Sequence, residues 1–217
     1  MQRVVRVYLE IAPGSDGGAA AHAPTLAGLV GFGWDERRAL RDLDRAADLY
    51  HAVLRRQGLA SGPPGEHLFW RPARRVPGQP FWLSGHATAL LPPDRVPPSD
   101  RRIRRVMRIV RALQAEHLGR LDRAPRQWGR STSRHRTPEQ TLVHMGDCAW
   151  WYCSRVDDRL PEPGRECPDE PRARLAHLLD FAERWLLDLV PRARGRVVVP
   201  RRFPSSDPNE RWTAGKV

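Results

Sequence analysis

Lysine is almost missing from this 217-residue chain: Lys216 is the only one, and the other 36 of its 37 basic residues are arginine. Those arginines run through every segment and alternate with Asp and Glu. The formal charge of +12 therefore reads first as compositional bias and not as a phosphate-binding stripe. A diffuse field of this sign still attracts polyanions at low salt, so a nucleic-acid partner remains the weaker alternative. Cysteine is scarce as well. The three, Cys148, Cys153 and Cys167, are an odd number without a C-x-x-C pair, which excludes a disulfide framework and fits reduced thiols in a cytoplasmic protein. The absence of H-x-x-x-H and H-E-x-x-H removes the strongest metal signatures. No apolar run approaches the ~20 residues of a membrane-spanning helix, and residues 1–8 are too few and too polar for a signal peptide, so no membrane partner is expected. No internal repeat is present, which excludes a solenoid.

What remains is enough for a folded core: 40% apolar residues and eight tryptophans. Pro and Gly together number 38 and concentrate between residues 58 and 100, as in a linker between two folded parts. The predicted class is α+β: a small ββα-type unit over residues 1–59, a Pro/Gly/Arg-rich connector over 60–98, and an up-down helical bundle over 99–217.

Residues 3–11 alternate and are rich in Val, the pattern of a strand. Residues 19–24 read as a second strand with His22 exposed. The glycines of Gly28-Leu29-Val30-Gly31-Phe32-Gly33 mark a bulge or tight turn. Asp35 is placed to cap a helix that Gly58 closes, with Leu40, Leu43, Ala47, Tyr50, Val53 and Leu54 as its apolar stripe. The connector carries two aromatic islands, Leu68-Phe69-Trp70 and Pro80-Phe81-Trp82-Leu83, read either as docking points on a neighbouring domain or as a lid over a pocket.

From Ser99 the periodicity becomes helical. Ile103, Val106, Met107, Val110, Leu113, His117 and Leu121 recur every three or four residues. Thr137-Pro138-Glu139-Gln140 combines a cap, a proline at the first helical position and a reciprocal box residue, and it opens a helix to about Val156. Pro171 opens another, which Pro191 ends. His144 lies in the middle helix of the three with Asp147 and Cys148 on its face. That face is either a metal or acid/base position or the site of a packing histidine. Cys148 with His144 as its base is a weaker nucleophile reading, because no third group orients the pair. His117 and His177 read as hydrogen-bonded core or boundary residues, and Trp150-Trp151-Tyr152 as core aromatics.

Two resemblances follow from these phrases. Residues 5–59, through His22-Ala23-Pro24-Thr25-Leu26-Ala27-Gly28, Gly31-Phe32-Gly33, Ala39-Leu40 and Leu49-Tyr50 to Gly58, resemble HicB-like antitoxin units, which implies binding of a small protein toxin. Trp34 stands where that family has a capping Ser or Thr. Residues 99–217 resemble the DinB/YfiT-like four-helix bundles through the helix from Arg105 to Leu121, Thr137 to Met145, Trp151-Tyr152, Arg155 and Glu210-Arg211-Trp212-Thr213-Ala214-Gly215-Lys216-Val217. That resemblance implies metal-dependent hydrolase or thiol-transferase chemistry on a divalent ion, zinc or nickel. His144 would be one ligand, and two more histidines would come from a fourth helix after the W-T-x-x-K-V phrase. The sequence stops at Val217, so the expectation is a catalytically incomplete bundle. A groove lined by Leu142, Met145, Leu178 and Trp185 would lie open to a protein partner or a second copy. The competing expectation is a non-catalytic interaction module.

Overall fold

The structure, a computed structural model, describes residues 2–12, 18–59, 66–79, 89–123, 136–201 and 210–217. The fold is α+β, a mixed sheet followed by helices. It divides into two compact units. The first comprises Met1–Pro93, Ile109–Leu113 and Asp207–Glu210, and the second Asp94–Arg108, Gln114–Ser206 and Arg211–Val217.

In the first unit, strands β1 (Gln2–Ile11), β2 (Ala19–His22) and β3 (Val30–Gly33) form an antiparallel meander. Helix α1 (Glu36–Arg56) and strand β4 (His67–Pro77) follow, and the sheet order is β3-β2-β1-β4 with β4 parallel to β1. Alternation along β1 points Val5, Val7 and Leu9 to one face, where they cluster with Leu43, Ala47, Tyr50 and Leu54 of α1. Asp35 caps α1 by accepting the Arg38 N–H at 2.7 Å. Gly58, at φ 64°, ends the helix in the left-handed conformation that costs glycine nothing.

Three expectations are corrected here. Residues 67–77, read as part of a connector, are the edge strand β4, and the first unit runs on to Pro93. The strand escapes detection because it presents only alternate residues to the core. Leu68 and Trp70 pack against it, while Arg71, Arg74 and Arg75 are exposed. Trp70 Nε1 donates to Asp44 at 3.1 Å, and Arg75 forms a two-pronged pair with Glu36, so both bind β4 to α1. Secondly, only Gly28, at φ 77°, lies in a tight turn, and Gly31 and Gly33 form no bulge. They are strand residues over which α1 lies so closely that a Cβ at Gly31 would overlap the helix backbone at Ala39 and Leu43. Thirdly, His22 is not exposed: its Nε2 lies 3.0 Å from the fully buried Glu10 carboxylate. The second aromatic island, residues 80–83, lies outside the described residues.

After a short 3₁₀ turn (Pro92–Arg95) the chain forms α2 (Asp100–Leu121), of which Ile109–Leu113 belong to the first unit, and then α3 (Pro138–Ser154), α4 (Pro171–Asp188) and the single-turn α5 (Pro191–Arg194) of the second. Thr137 caps α3 as its sequence signals, and Ser99 and Glu170 likewise accept first-turn backbone N–H groups at the starts of α2 and α4. Helices α3 and α4 pack most closely. Gly146 permits it, since even a methyl group there would press on Leu175 and Leu178. Leu142, Leu175 and Leu178 are consequently buried. The expected open groove is corrected at Leu142 and Leu178, which α3 and α4 bury in each other. No helix among the described residues is long and apolar enough to cross a membrane.

Candidate functional site

The α3 face that carries His144 is built from its N-terminus. Thr137 Oγ1 accepts the Gln140 N–H at 3.2 Å and Gln140 Oε1 accepts the Thr137 N–H at 2.9 Å, a complete capping box that fixes where the helix starts. With that start fixed, Leu142 and Gly146 face inward and His144 faces solvent. Cys148, one turn further on, puts its sulfur 3.6 and 3.8 Å from the two ring nitrogens of His144. The structure thus brings His144 and Cys148 together, as their spacing predicts.

Asp147 is engaged elsewhere. Its Oδ1 accepts from Arg174 Nε at 3.0 Å and Nη2 at 2.7 Å, and Arg174 Nη1 also reaches the Cys167 sulfur at 3.3 Å. The hydrogen bond to Asp147 raises the Arg174 pKa above its ordinary value. Asp147 therefore joins α3 to α4 and is not poised to support a ligand on the His144 side.

The Cys148 thiol is pushed up by burial and, secondarily, by the Asp147 charge, against a smaller opposite effect of Arg136. A thiol held protonated is a poor nucleophile and a poor ligand. His117 and His177 bring nothing to this face. His177 is half-buried on α4, and His117 Nε2 is buried with no hydrogen-bond partner among the described residues, which corrects its reading as a hydrogen-bonded core residue.

A catalytic divalent ion needs three protein donors and one open position. Among the described residues no group of three His, Cys, Asp or Glu side chains converges on a point. His144 and Cys148 alone do not fit such an ion.

Matched against protein-family models, curated proteins and solved structures, the chain finds no counterpart. What it can do must be read from its own surfaces.

Two further clusters bring together residues that are distant in sequence. Glu10, fully buried in the sheet, receives the Ala89 N–H at 2.9 Å besides facing His22, so one carboxylate ties β2 and the segment at Ala89 to β1. No sequence signal marks it, because its partners are 12 and 79 residues away. The other cluster surrounds Trp212, which is 1% exposed. Its ring meets Trp151 edge-on at 5.9 Å and Tyr152 at 5.6 Å, Lys216 Nζ lies 4.2 Å from its centroid, and the buried Arg155 guanidinium stacks over Trp151 at 4.8 Å. Trp212 and Val198 also exchange two backbone hydrogen bonds, and residues 213–217 make a single turn beyond them. The W-T-x-x-K-V phrase carries this cluster: its Trp and Lys are the stacking partners.

Proposed function

We propose that the protein is a binding module whose first unit presents the exposed Val4–Phe69 end of the sheet face away from α1 to a protein partner. One observation carries this reading: Val4 and Phe69, partners in the β1–β4 register, lie side by side on the face away from α1, and are 58% and 52% exposed. The next partners on that face are Arg6 and Arg71, both exposed. An apolar pair beside cationic neighbours suits a partner that offers an apolar anchor set among carboxylates. Strand addition at the β4 edge is disfavoured by Pro72, which lacks a donor, and by the irregularity opposite Val7 and Tyr8. That leaves the face as the docking surface. The resemblance of residues 5–59 to HicB-like units, which bind a small protein, supports the same reading.

The test uses the full chain. A partner retained from the producing cells is identified, purified and titrated against wild type, Phe69→Ala and Arg71→Glu. Both substitutions should weaken binding about tenfold or more, and the Arg71→Glu loss should shrink as salt rises. Unchanged affinity in both variants would remove the sheet face from the reading.

The DinB-like reading, a metal-dependent hydrolase or thiol transferase on zinc or nickel, keeps one favourable observation. His144 is exposed beside the Cys148 thiol, two donors of the three that such an ion needs. Metal analysis after equilibration with zinc or nickel decides it. Stoichiometric metal that His144→Ala abolishes supports it, and metal-free protein ends it.

A further inference from the structure

The second unit contains an open pocket of about 590 Å³ lined by Arg101, Arg104 and Arg108 of α2 and Glu183 of α4. The three arginines are exposed. At 100° per residue they fall within about 60° of one another around the helix, and they extend over about 10 Å along it. They form a row along one side of α2.

The row has no structural duty that the described residues reveal. Other arginines of this unit have carboxylate partners: Arg120 pairs with Glu116, Arg172 with Asp122, Arg174 with Asp147 and Arg194 with Asp100. No hydrogen bond or ion pair among the described residues engages Arg101, Arg104 or Arg108. Their placement is also unfavourable in itself. Arg101–Arg108 holds five arginines in eight residues at the start of α2, where the helix dipole disfavours cations and neighbouring turns repel. The one acid of that first turn, Asp100, is taken by Arg194 at 2.6 Å. A helix start that gathers this much like charge gains by binding an anion that spans the row.

We infer that this pocket binds a ligand carrying two or three adjacent phosphoryl groups. Guanidinium forks match phosphoryl oxygens two at a time, and a row of three suits a chain of phosphates better than a single one. The volume lies within the range of small-molecule sites, about 300–1,000 Å³. Glu183 of α4 lines the same pocket. Phosphate chains of this kind reach a protein either as inorganic polyphosphate or as a nucleoside triphosphate.

Isothermal titration of the full chain with tripolyphosphate and, separately, ATP tests this. The variants are Arg104→Glu, Arg104→Lys, and Arg45→Glu as a control that makes the same charge change on α1, in the other unit. Wild type should bind at least one ligand, and orthophosphate should bind about tenfold more weakly or worse. Arg104→Glu should weaken binding about tenfold or more, Arg104→Lys should weaken it less, and Arg45→Glu should leave it unchanged. Equal affinities identify the phosphate chain alone as the recognised group, and tighter ATP extends the site to the nucleoside end. Two results overturn the inference. One is no binding of either ligand at low salt. The other is equal loss in Arg104→Glu and Arg45→Glu, which would reduce the effect to the overall charge of the chain. Circular dichroism of each variant separates lost binding from lost folding.

Discussion

Replacing Trp212 by alanine removes the side chain around which the end of the second unit is packed. A buried tryptophan withdraws roughly 150–250 Å² from water, which at about 25 cal/mol per Å² amounts to about 4–6 kcal/mol. Measured truncations of this size cost about 3–5 kcal/mol. Two further losses act in the same direction: the edge-on contact with Trp151, and the ring face offered to Lys216 at 4.2 Å. A total near 4 kcal/mol is a large fraction of the about 5–15 kcal/mol that holds a domain folded. For a chain of this size each kcal/mol moves the midpoint by about 2–4 °C, so Trp212→Ala should melt about 8–16 °C below wild type. Trp212→Phe, which keeps a ring in the cluster, should lose about 1.5 kcal/mol or less. Thermal melts followed in the near ultraviolet read the aromatic cluster itself. A Trp212→Ala midpoint within about 3 °C of wild type would show that residues 212–217 do not contribute to the core as described.

Three other outcomes follow from the geometry. Gly31→Ala forces a Cβ into the α1 backbone and should cost about 3 kcal/mol or render the chain insoluble, read as a urea midpoint shift. Cys148, whose thiol is raised by burial and by Asp147, should react with a maleimide more slowly at pH 8 than free cysteine; Asp147→Asn should speed it by removing one of the two causes. Tyr152 is pushed up to about 12, mainly by burial, so the folded state keeps a proton that the unfolded chain begins to release near pH 10. Stability from this residue is complete below pH 10 and falls between pH 10 and 12, and urea titrations across that window should show Tyr152→Phe losing less.

Helix boundaries were legible because their signals are local. Thr137 and Gln140 sit three residues apart and satisfy each other, and Asp35 needs only the Arg38 N–H. Strand β4 was not legible, since an edge strand buries one face only and its arginines and prolines dominate its composition. The face shared by His144 and Cys148 followed from helical spacing. Spacing within one helix could not reveal that Asp147 is held by an arginine 27 residues away. The same limit hid Glu10 and the row at Arg101, Arg104 and Arg108. A count of charges gives their number, and only the fold distinguishes the paired from the unpaired.

The parallel pairing of β1 with β4 also sets an order of assembly. The β1–β2–β3 meander and the helix on it form from residues near one another in sequence. The second edge of β1, by contrast, must wait for residues 67–77. Contacts that close such a long loop form late and slowly. During synthesis, when some seventy residues have emerged, the nascent chain exposes the Val-rich flank of β1 without its neighbour. That interval is when the first unit is most prone to pair with another chain, and substitutions in β4 that slow its docking should lower soluble yield more than they lower the stability of the finished fold.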